Sequence, residues 1–215
     1  MSTDKYKAKK ASIAKAAFRL FREKGYEATS VKDIADEAGI KKALVRYYFP
    51  KKEAFEDLFL NKALDLANGY LRERNLQELD DITRISLLGY IELYYISCHE
   101  TMLKLGKDIV QSRAITHSIA KTLFGWIAEN SQFSEEQQAQ IQEGVVYAFG
   151  AVTEKIYSHM AEGTQFDVDK VFQAGIAVLN STTGFNFPEL DIHTILPQSW
   201  LEEKCRQMDQ EFFGE

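Results

Sequence analysis

Cysteine, proline and long apolar runs are all scarce in this sequence. The two cysteines, Cys98 and Cys205, stand far apart with no metal-type spacing, so no disulfide framework or zinc site is expected and both are predicted to be buried thiols. No run of about 18 apolar residues occurs, and no apolar segment follows the basic residues 1–15 as it would in a signal peptide. We therefore expect a cytoplasmic protein without membrane contact.

Proline occurs only at positions 50, 188 and 197. Alternating β-branched runs, which mark strands, are also missing. With 215 residues, 45% of them hydrophobic, the chain has enough apolar material for one ordinary domain and a small second one. The sequence thus predicts an all-α protein with a domain boundary near Pro50.

The usual signatures of enzyme chemistry are absent. The sequence contains no HExxH, no GxSxG, no P-loop and no dinucleotide fingerprint. Its four histidines are scattered along the chain, without the spacing of a metal or catalytic cluster. We accordingly expect a protein that is not an enzyme and that has no cofactor and no metal centre.

Charge is divided unevenly along the chain, although the net charge at pH 7 is −6. Residues 1–52 contain 14 Lys and Arg against six Asp and Glu, a net charge of +8, so the remaining residues carry −14. A polyanion is attracted to the first part of such a molecule and repelled by the rest. The first lysines are equally compatible with a solvated, frayed terminus, so charge alone leaves both interpretations open.

Three short helices are predicted before Pro50. The first covers residues 7–24, because apolar residues recur there at helical spacing and Gly25 follows. The second begins after Ser30, which pairs with Asp33 as in a capping box, and ends at Gly39. The third covers residues 42–48. The apolar stripe of the first helix is Ile13, Ala16, Ala17, Leu20 and Phe21.

Two short helices joined by a tight glycine turn form a helix-turn-helix when the second carries Lys, Arg and Tyr. The major groove of DNA admits one α-helix, and this motif holds its second helix there. The alternative is an ordinary helical hairpin, in which Lys42 and Arg46 only solvate an outer face.

The stretch 16–55, AAFRLFREKGYEATSVKDIADEAGIKKALVRYYFPKKEAF, resembles the DNA-binding domain of the tetracycline-repressor (TetR) family. The resemblance implies a helix-turn-helix domain over 1–50, followed by a larger helical ligand-binding and dimerisation domain over 51–215. It is carried by Leu20-Phe21, Lys24-Gly25-Tyr26, Thr29-Ser30-Val31, Asp33-Ile34-Ala35, Ala38-Gly39, Phe49 and Lys52-Glu53.

The resemblance also implies roles for individual residues. Thr29 or Ser30 would face a phosphate at a helix N-terminus, and Lys52 would bind another. Tyr48 would reach the DNA backbone, whereas Val45 and Phe49 would be core. The expected DNA-binding set is Thr29, Ser30, Lys41, Lys42, Ala43, Arg46, Tyr47, Tyr48 and Lys52.

Three positions depart from the family pattern. Lys41 stands where a small hydroxyl residue is usual, Leu44 where Thr is usual, and Arg46 where Tyr is usual. An arginine can form two hydrogen bonds with guanine, a contact worth roughly 1–3 kcal/mol of discrimination. We therefore predict a G·C pair opposite Arg46 in each half of the DNA site.

The segment 82–98, ITRISLLGYIELYYISC, is apolar around nearly its whole helical circumference, so it is predicted to run through the middle of a bundle. Aromatic residues here and further on favour a pocket for a lipophilic or planar ligand, and their faces would also accept an organic cation. Simple aromatic core packing is the alternative. The candidate ligand-binding residues are Tyr90, Tyr94, His99, Met102, Phe124, Trp126 and Tyr147.

Ser134 with the following Glu-Glu-Gln predicts a capped long helix, and a second helix is predicted near 167–179. By resemblance, 135–161 and 167–181 would form a homodimer interface; packing within one subunit is the alternative. The extension 189–215 predicts a further amphipathic helix, over the dimer seam or part of the pocket.

Together these features predict a transcriptional repressor that binds a double-stranded DNA operator as a homodimer and is released by a small-molecule effector. In this scheme the ligand changes the separation of two recognition helices, which must lie about 34–36 Å apart, or a small multiple of a helical turn, to read successive major grooves. The remaining alternative is a DNA-binding regulator controlled by a protein partner. A closed apolar pocket would favour a ligand, and a solid core would favour a partner.

Overall fold

A computed structural model describes residues 3–76, 78–98, 113–164 and 167–214. These residues form helices and no strand, as the sequence predicts. Within the same ranges, no helix combines the length and apolar character needed to cross a membrane. The helices are α1 (Thr3–Lys24), α2 (Val31–Glu37), α3 (Lys42–Tyr48), α4 (Glu53–Glu73), α5 (Asp81–Cys98), α6 (Arg113–Asn130), α7 (Glu135–Glu162), α8 (Val168–Thr183), α9 (Ile192–Ile195) and α10 (Gln198–Phe213).

Helices α1 to α3, here called the head, form around the predicted apolar stripe of α1. Ile13 and Ala17 are fully buried, and α1 ends where Gly25 adopts φ 89°, a left-handed conformation that glycine tolerates best. The start of α2 has the predicted capping box: the Asp33 amide donates to Ser30 Oγ at 3.1 Å, and the Ser30 amide donates to Asp33 Oδ2 at 2.8 Å. Local sequence signals therefore determine where the first two helices stop and start.

The turn between α2 and α3 is tight. Gly39 has φ 61°, and the Ile40 amide donates to the Ala35 carbonyl at 2.9 Å. Helix α3 has the bounds expected from its sequence, and Phe49 and Pro50 follow its last residue. Val45 and Phe49 are buried, which confirms their predicted place in the core.

Helices α4 to α8, here called the body, contain a second apolar cluster. Helices α7 and α8 approach each other closely at two glycines. A Cβ on Gly144 would lie 2.0 Å from Thr183 Cγ2, and one on Gly175 would lie 3.0 Å from Val152 Cγ2. Gly144 and Gly175 thus serve packing within one subunit, the alternative left open by the sequence, whereas the outer faces of the two helices stay exposed.

Helix α10 joins the head to the body. Its Phe212 is fully buried, stacks on Phe59 of α4 with ring centroids 4.1 Å apart, and meets Phe18 of α1 edge-on at 5.8 Å. The Tyr95 hydroxyl of α5 donates to Asp209 Oδ1 at 2.8 Å. The predicted extra helix exists, and it completes the core of the head; no α10 residue is among those that line the cavity described below.

One expectation about the cysteines is wrong, and the expected domain boundary stays untested. Cys98 is exposed, and only Cys205 is buried, although the two free thiols lie side by side and interact. The domain division at residue 50 stays a prediction, because the apolar cluster of the head also includes Phe55 and Ala63 of α4.

Candidate nucleic-acid interface and ligand cavity

Helix α3 turns one face to solvent and the other to the head. Val45 and Tyr48 are buried, whereas Tyr47 is 66% exposed. Helix α3 contains no acidic residue. Its N-terminus has no side-chain cap, so amide groups at the Lys41 end are available to a partner. The exposed residues are Lys41, Lys42, Ala43, Leu44, Arg46 and Tyr47.

The beginning of α1 lies beside this face. The Tyr6 ring packs against Tyr48 with centroids 4.8 Å apart and meets Tyr47 edge-on at 6.3 Å. The basic N-terminal turns of α1 are thereby held next to α3. Tyr6 is not predicted by any motif, and its place among lysines at the start of an amphipathic helix is the signal that could have identified it.

Thr29 does not face solvent. Its hydroxyl donates to the Gly25 carbonyl at 2.7 Å, and the side chain is 2% exposed. Carbonyls at the end of α1 lack helical partners, and the Thr29 hydroxyl satisfies one of them. The expected phosphate contact by the Thr29 side chain is therefore not met, whereas Ser30 is exposed at the start of α2.

Tyr48 and Lys52 also differ from expectation. Tyr48 is 5% exposed because it packs beneath Tyr6, so it does not extend towards a DNA backbone. The Lys52 ammonium donates to the Tyr26 carbonyl and lies 4.0 Å from the centroid of the Tyr26 ring. Lys52 thus ties the start of α4 to the turn that follows α1, and its contact with a phosphate stays a prediction.

A cavity of about 300 Å³ lies between the helices of the body and extends to the head. On α5 it is lined by Ile85, Leu88, Glu92 and Ile96, which share one face of the helix. Phe18 and Phe21 of α1, together with Phe55 of α4, line the end next to the head. The cavity therefore touches side chains that belong to the head's own apolar cluster.

Of the predicted ligand-binding residues, Trp126 lines this cavity. Tyr90 points to the opposite side of α5, where its hydroxyl donates to Asp169 Oδ1 at 2.7 Å, and Tyr94 follows it one turn later. Tyr147 is 52% exposed on α7. Successive residues of a helix point about 100° apart, so aromatic content alone does not predict which aromatic side chains face the cavity. Tyr90, Tyr94, Phe124 and Tyr147 are not among the lining residues, and His99 and Met102 lie outside the described residues.

Two carboxyl groups that the sequence does not predict as ligand contacts, those of Glu56 and Glu92, face the cavity. Burial raises the pKa of Glu92 to about 8. Burial also raises the pKa of Glu56 to about 7, although the adjacent Tyr26 hydroxyl and Lys52 ammonium oppose the shift. The available signal was Glu92 itself, a lone acid inside the helix 82–98 that is otherwise apolar on nearly every side.

A family model described as "Bacterial regulatory proteins, tetR family" matches residues 13–56. The chain is 31% identical over 130 residues to the HTH-type transcriptional repressor KstR2 of Rhodococcus jostii. The matched residues make up 60% of this chain and 61% of KstR2. It is 41% identical over 59 residues to the HTH-type transcriptional regulator RutR of Escherichia coli, 27% of this chain and 28% of RutR. The chain thus spans less than two thirds of either relative.

Solved structures are similar at lower identity. FadR from Bacillus subtilis, in complex with stearoyl-CoA, has a TM-score of 0.44 and 14% identity over 81% of this chain and 98% of FadR. AmtR from Mycobacterium smegmatis has a TM-score of 0.39 and 16% identity over 90% of this chain and 92% of AmtR.

Proposed function

Because this chain belongs to the tetR family of bacterial regulatory proteins, we propose that it is a sequence-specific transcriptional repressor, released from its DNA operator when a small lipophilic molecule fills the body cavity. The exposed face of α3 carries the proposal. That face holds three cations, no acid and the exposed Tyr47 ring, and it lies on the part of the chain whose net charge is +8. Such a surface suits a major groove and the phosphates beside it.

Individual contacts follow from this surface. Lys42, Ala43, Arg46 and Tyr47 would face base edges, with Arg46 on a guanine. Ser30 and the exposed start of α2 would lie near a phosphate, where the helix dipole favours an anion. Lys41 and the lysines at the beginning of α1 add charge next to α3, which supports a salt-dependent contribution to affinity.

A homodimer would supply the second recognition helix. On α7, Val146, Tyr147 and Tyr157 are exposed by 47%, 52% and 37%, and apart from Leu44 and Tyr47 on α3 they are the exposed large hydrophobic residues of the described chain. Small exposed residues on α8, Ala174 and Ala177, continue this face. Sedimentation equilibrium tests the dimer: a mass of 24.6 kDa at micromolar concentration would contradict it.

The cavity gives ligand binding a direct route to the head. Helix α4 contributes Phe55 at the head end of the cavity and Leu60 and Leu64 further along. A ligand there would push on α4 and on Phe18 and Phe21 of α1, and so change the spacing of two heads in a dimer. Coupling requires only that the ligand prefer one spacing. An apolar cavity favours this scheme over control by a protein partner, which would need no cavity.

A substitution that fills the cavity tests the coupling without a known ligand. Gly89 lines the cavity, and a Cβ there meets no atom within 4 Å, so Gly89→Phe is expected to mimic a bound ligand and lower operator affinity at least tenfold. Gly125→Phe is the matched control, since Gly125 is also helical, also has open space around an added Cβ, and does not line the cavity.

The operator is first obtained by selecting bound fragments from genomic DNA, and affinities are then measured by fluorescence anisotropy. Folded Gly89→Phe protein that binds the operator as tightly as Gly125→Phe would contradict the coupling. Failure of the wild-type protein to select any sequence over bulk DNA would contradict the proposed function itself.

A further inference from the structure

The cavity wall is almost wholly apolar and aromatic, and its hydroxyl groups are already engaged. Ser86 Oγ donates to the Ile82 carbonyl at 2.8 Å, and Thr153 Oγ1 donates to the Phe149 carbonyl at 2.8 Å. Among the described lining residues there is no Lys, Arg or His. The carboxyl groups of Glu56 and Glu92 therefore dominate its polar character.

Glu92 differs from these hydroxyl groups in its hydrogen bonding. Its Oε1 atom is buried without a hydrogen bond in the part of the chain that the structure describes, while Ile85, Leu88 and Ile96 surround it on the cavity face of α5. Enclosing an unpaired carboxyl costs several kcal/mol, and an apolar residue of similar volume is usually more stable at such a position. Packing thus gives no reason for a glutamate here.

Glu56 is different, although it lines the same cavity. The Tyr26 hydroxyl and the Lys52 ammonium lie close enough to stabilise its charged form. Lys52 is itself held by the Tyr26 carbonyl at the start of α4. Both Glu56 oxygens are buried without a hydrogen bond among the described residues, as Glu92 Oε1 is, but the charge of Glu56 already has the Lys52 ammonium nearby, whereas burial alone shifts the pKa of Glu92.

We propose that the effector is a lipophilic organic cation and that the Glu92 carboxylate is its counter-ion. This inference rests on the proposed function, because it assigns a chemical class to the ligand of that same cavity. A cation would provide the missing partner of Glu92 and favour its ionised form, whereas an anion would be repelled by either carboxyl group in its ionised form. Aromatic residues of the wall, including Phe59, Trp126 and Phe172, offer ring faces that also attract a positive charge.

Three probes of one shape test the charge requirement by calorimetry, in the absence of DNA. They are trimethyl(3-phenylpropyl)ammonium, its uncharged carbon isostere 4,4-dimethylpentylbenzene, and the anion 4-phenylbutyrate. The wild-type protein is expected to bind the ammonium compound about 10- to 100-fold more tightly than the isostere, as befits a charge-assisted contact out of water, and to bind the anion most weakly.

In Glu92→Gln, the affinities for the ammonium compound and the isostere are expected to agree within about twofold. Affinity for the isostere should be retained, and this binding also shows that the cavity is intact. Glu56→Gln is the matched control, and is expected to keep most of the preference. An equal affinity of the wild-type protein for cation and isostere, an unchanged preference in Glu92→Gln, or no binding of any probe overturns the inference. If Glu92→Gln does not fold, the three wild-type affinities still decide.

Operator release is measured separately with the same probes. Release by the isostere and not by the ammonium compound overturns the cation assignment and leaves the proposed function in place. Binding of the ammonium compound at the cavity without any change in operator affinity contradicts the proposed release mechanism and leaves the cation assignment in place.

Discussion

The head and the body place their charged side chains in opposite surroundings. On α3, Lys42 and Arg46 stand in solvent, where charge costs little and is available to a large partner. On α5, Glu92 lies in an apolar cavity, where charge is costly unless a small partner supplies the opposite sign. The same kind of group thus indicates a macromolecular surface in one region and a small-molecule site in the other.

The largest expected effect concerns Phe212, which links the head to the body. Phe212→Ala is expected to cost about 3–5 kcal/mol, because it removes a fully buried ring that touches both Phe59 and Phe18. Urea unfolding measures the loss, and hydrogen exchange in α1 should rise with it.

The control is Phe212→Leu, which conserves most of the volume and should cost roughly half as much or less. Unchanged hydrogen exchange in α1 of the alanine variant would mean that the head is stable without α10.

Removing charge from the exposed surface has the next largest effect. Arg46→Ala is expected to weaken operator binding by roughly 1–3 kcal/mol, and only on operators that keep the G·C pair read by Arg46. Titrations against operators varied one base pair at a time measure this, with Lys121→Ala on the exposed side of α6 as the control. An equal loss on every operator would assign Arg46 to a phosphate.

Removing charge from the cavity should act on stability and should depend on pH. The unfolded chain ionises Glu92 near its ordinary pKa of 4.5, whereas burial holds the folded pKa at about 8. Between these values the folded state binds more protons, so wild-type stability falls as pH rises. Glu92→Gln cannot ionise, so its Tm should exceed that of the wild type at both pH values, and the difference should be about twice as large at pH 8.5 as at pH 6.

Glu129→Gln, at an exposed position of α6, is the control for this series. A Tm difference between Glu92→Gln and the wild type that stays constant from pH 6 to 8.5 would contradict the buried, proton-holding state of Glu92.

The smallest expected effect concerns the capping box, a motif that occurs once in the head and once in the body. Ser30 and Ser134 both form capping boxes, at the starts of α2 and α7. Replacing either with Ala is expected to cost about 1 kcal/mol of stability. Only Ser30→Ala should weaken operator binding, because α2 positions α3. Paired urea and operator titrations test this, and equal losses of operator affinity in both variants would contradict it.

The head was predictable from sequence because its signals are local. Ser30, Asp33 and Gly39 act within a few residues of where they stand, and the bounds of α2 follow from them. The burial of the Thr29 side chain was not predictable in this way. Its hydroxyl bonds to the Gly25 carbonyl, and the position of that carbonyl depends on how α1 ends in three dimensions.

The cavity was less predictable because its wall comes from helices far apart in sequence. Tyr90 and Glu92 are two residues apart, yet a rotation of 200° along α5 separates their surroundings. Trp126 was identified from its residue type, and the lining role of Phe18 depends on where α1 meets α4. Helical spacing predicts the directions of side chains relative to one another within one helix. It does not predict which of those directions faces the cavity.

The position of α10 has a consequence for synthesis of the protein. Phe212 and Phe213 belong to the apolar cluster that surrounds α1, yet the ribosome makes them long after α1 and after every described residue that lines the cavity. At the usual rate of translation, a nascent head waits roughly 10–40 s for these side chains. Under the proposed function, a head with a completed core therefore first exists when the helices that line the cavity have also been made.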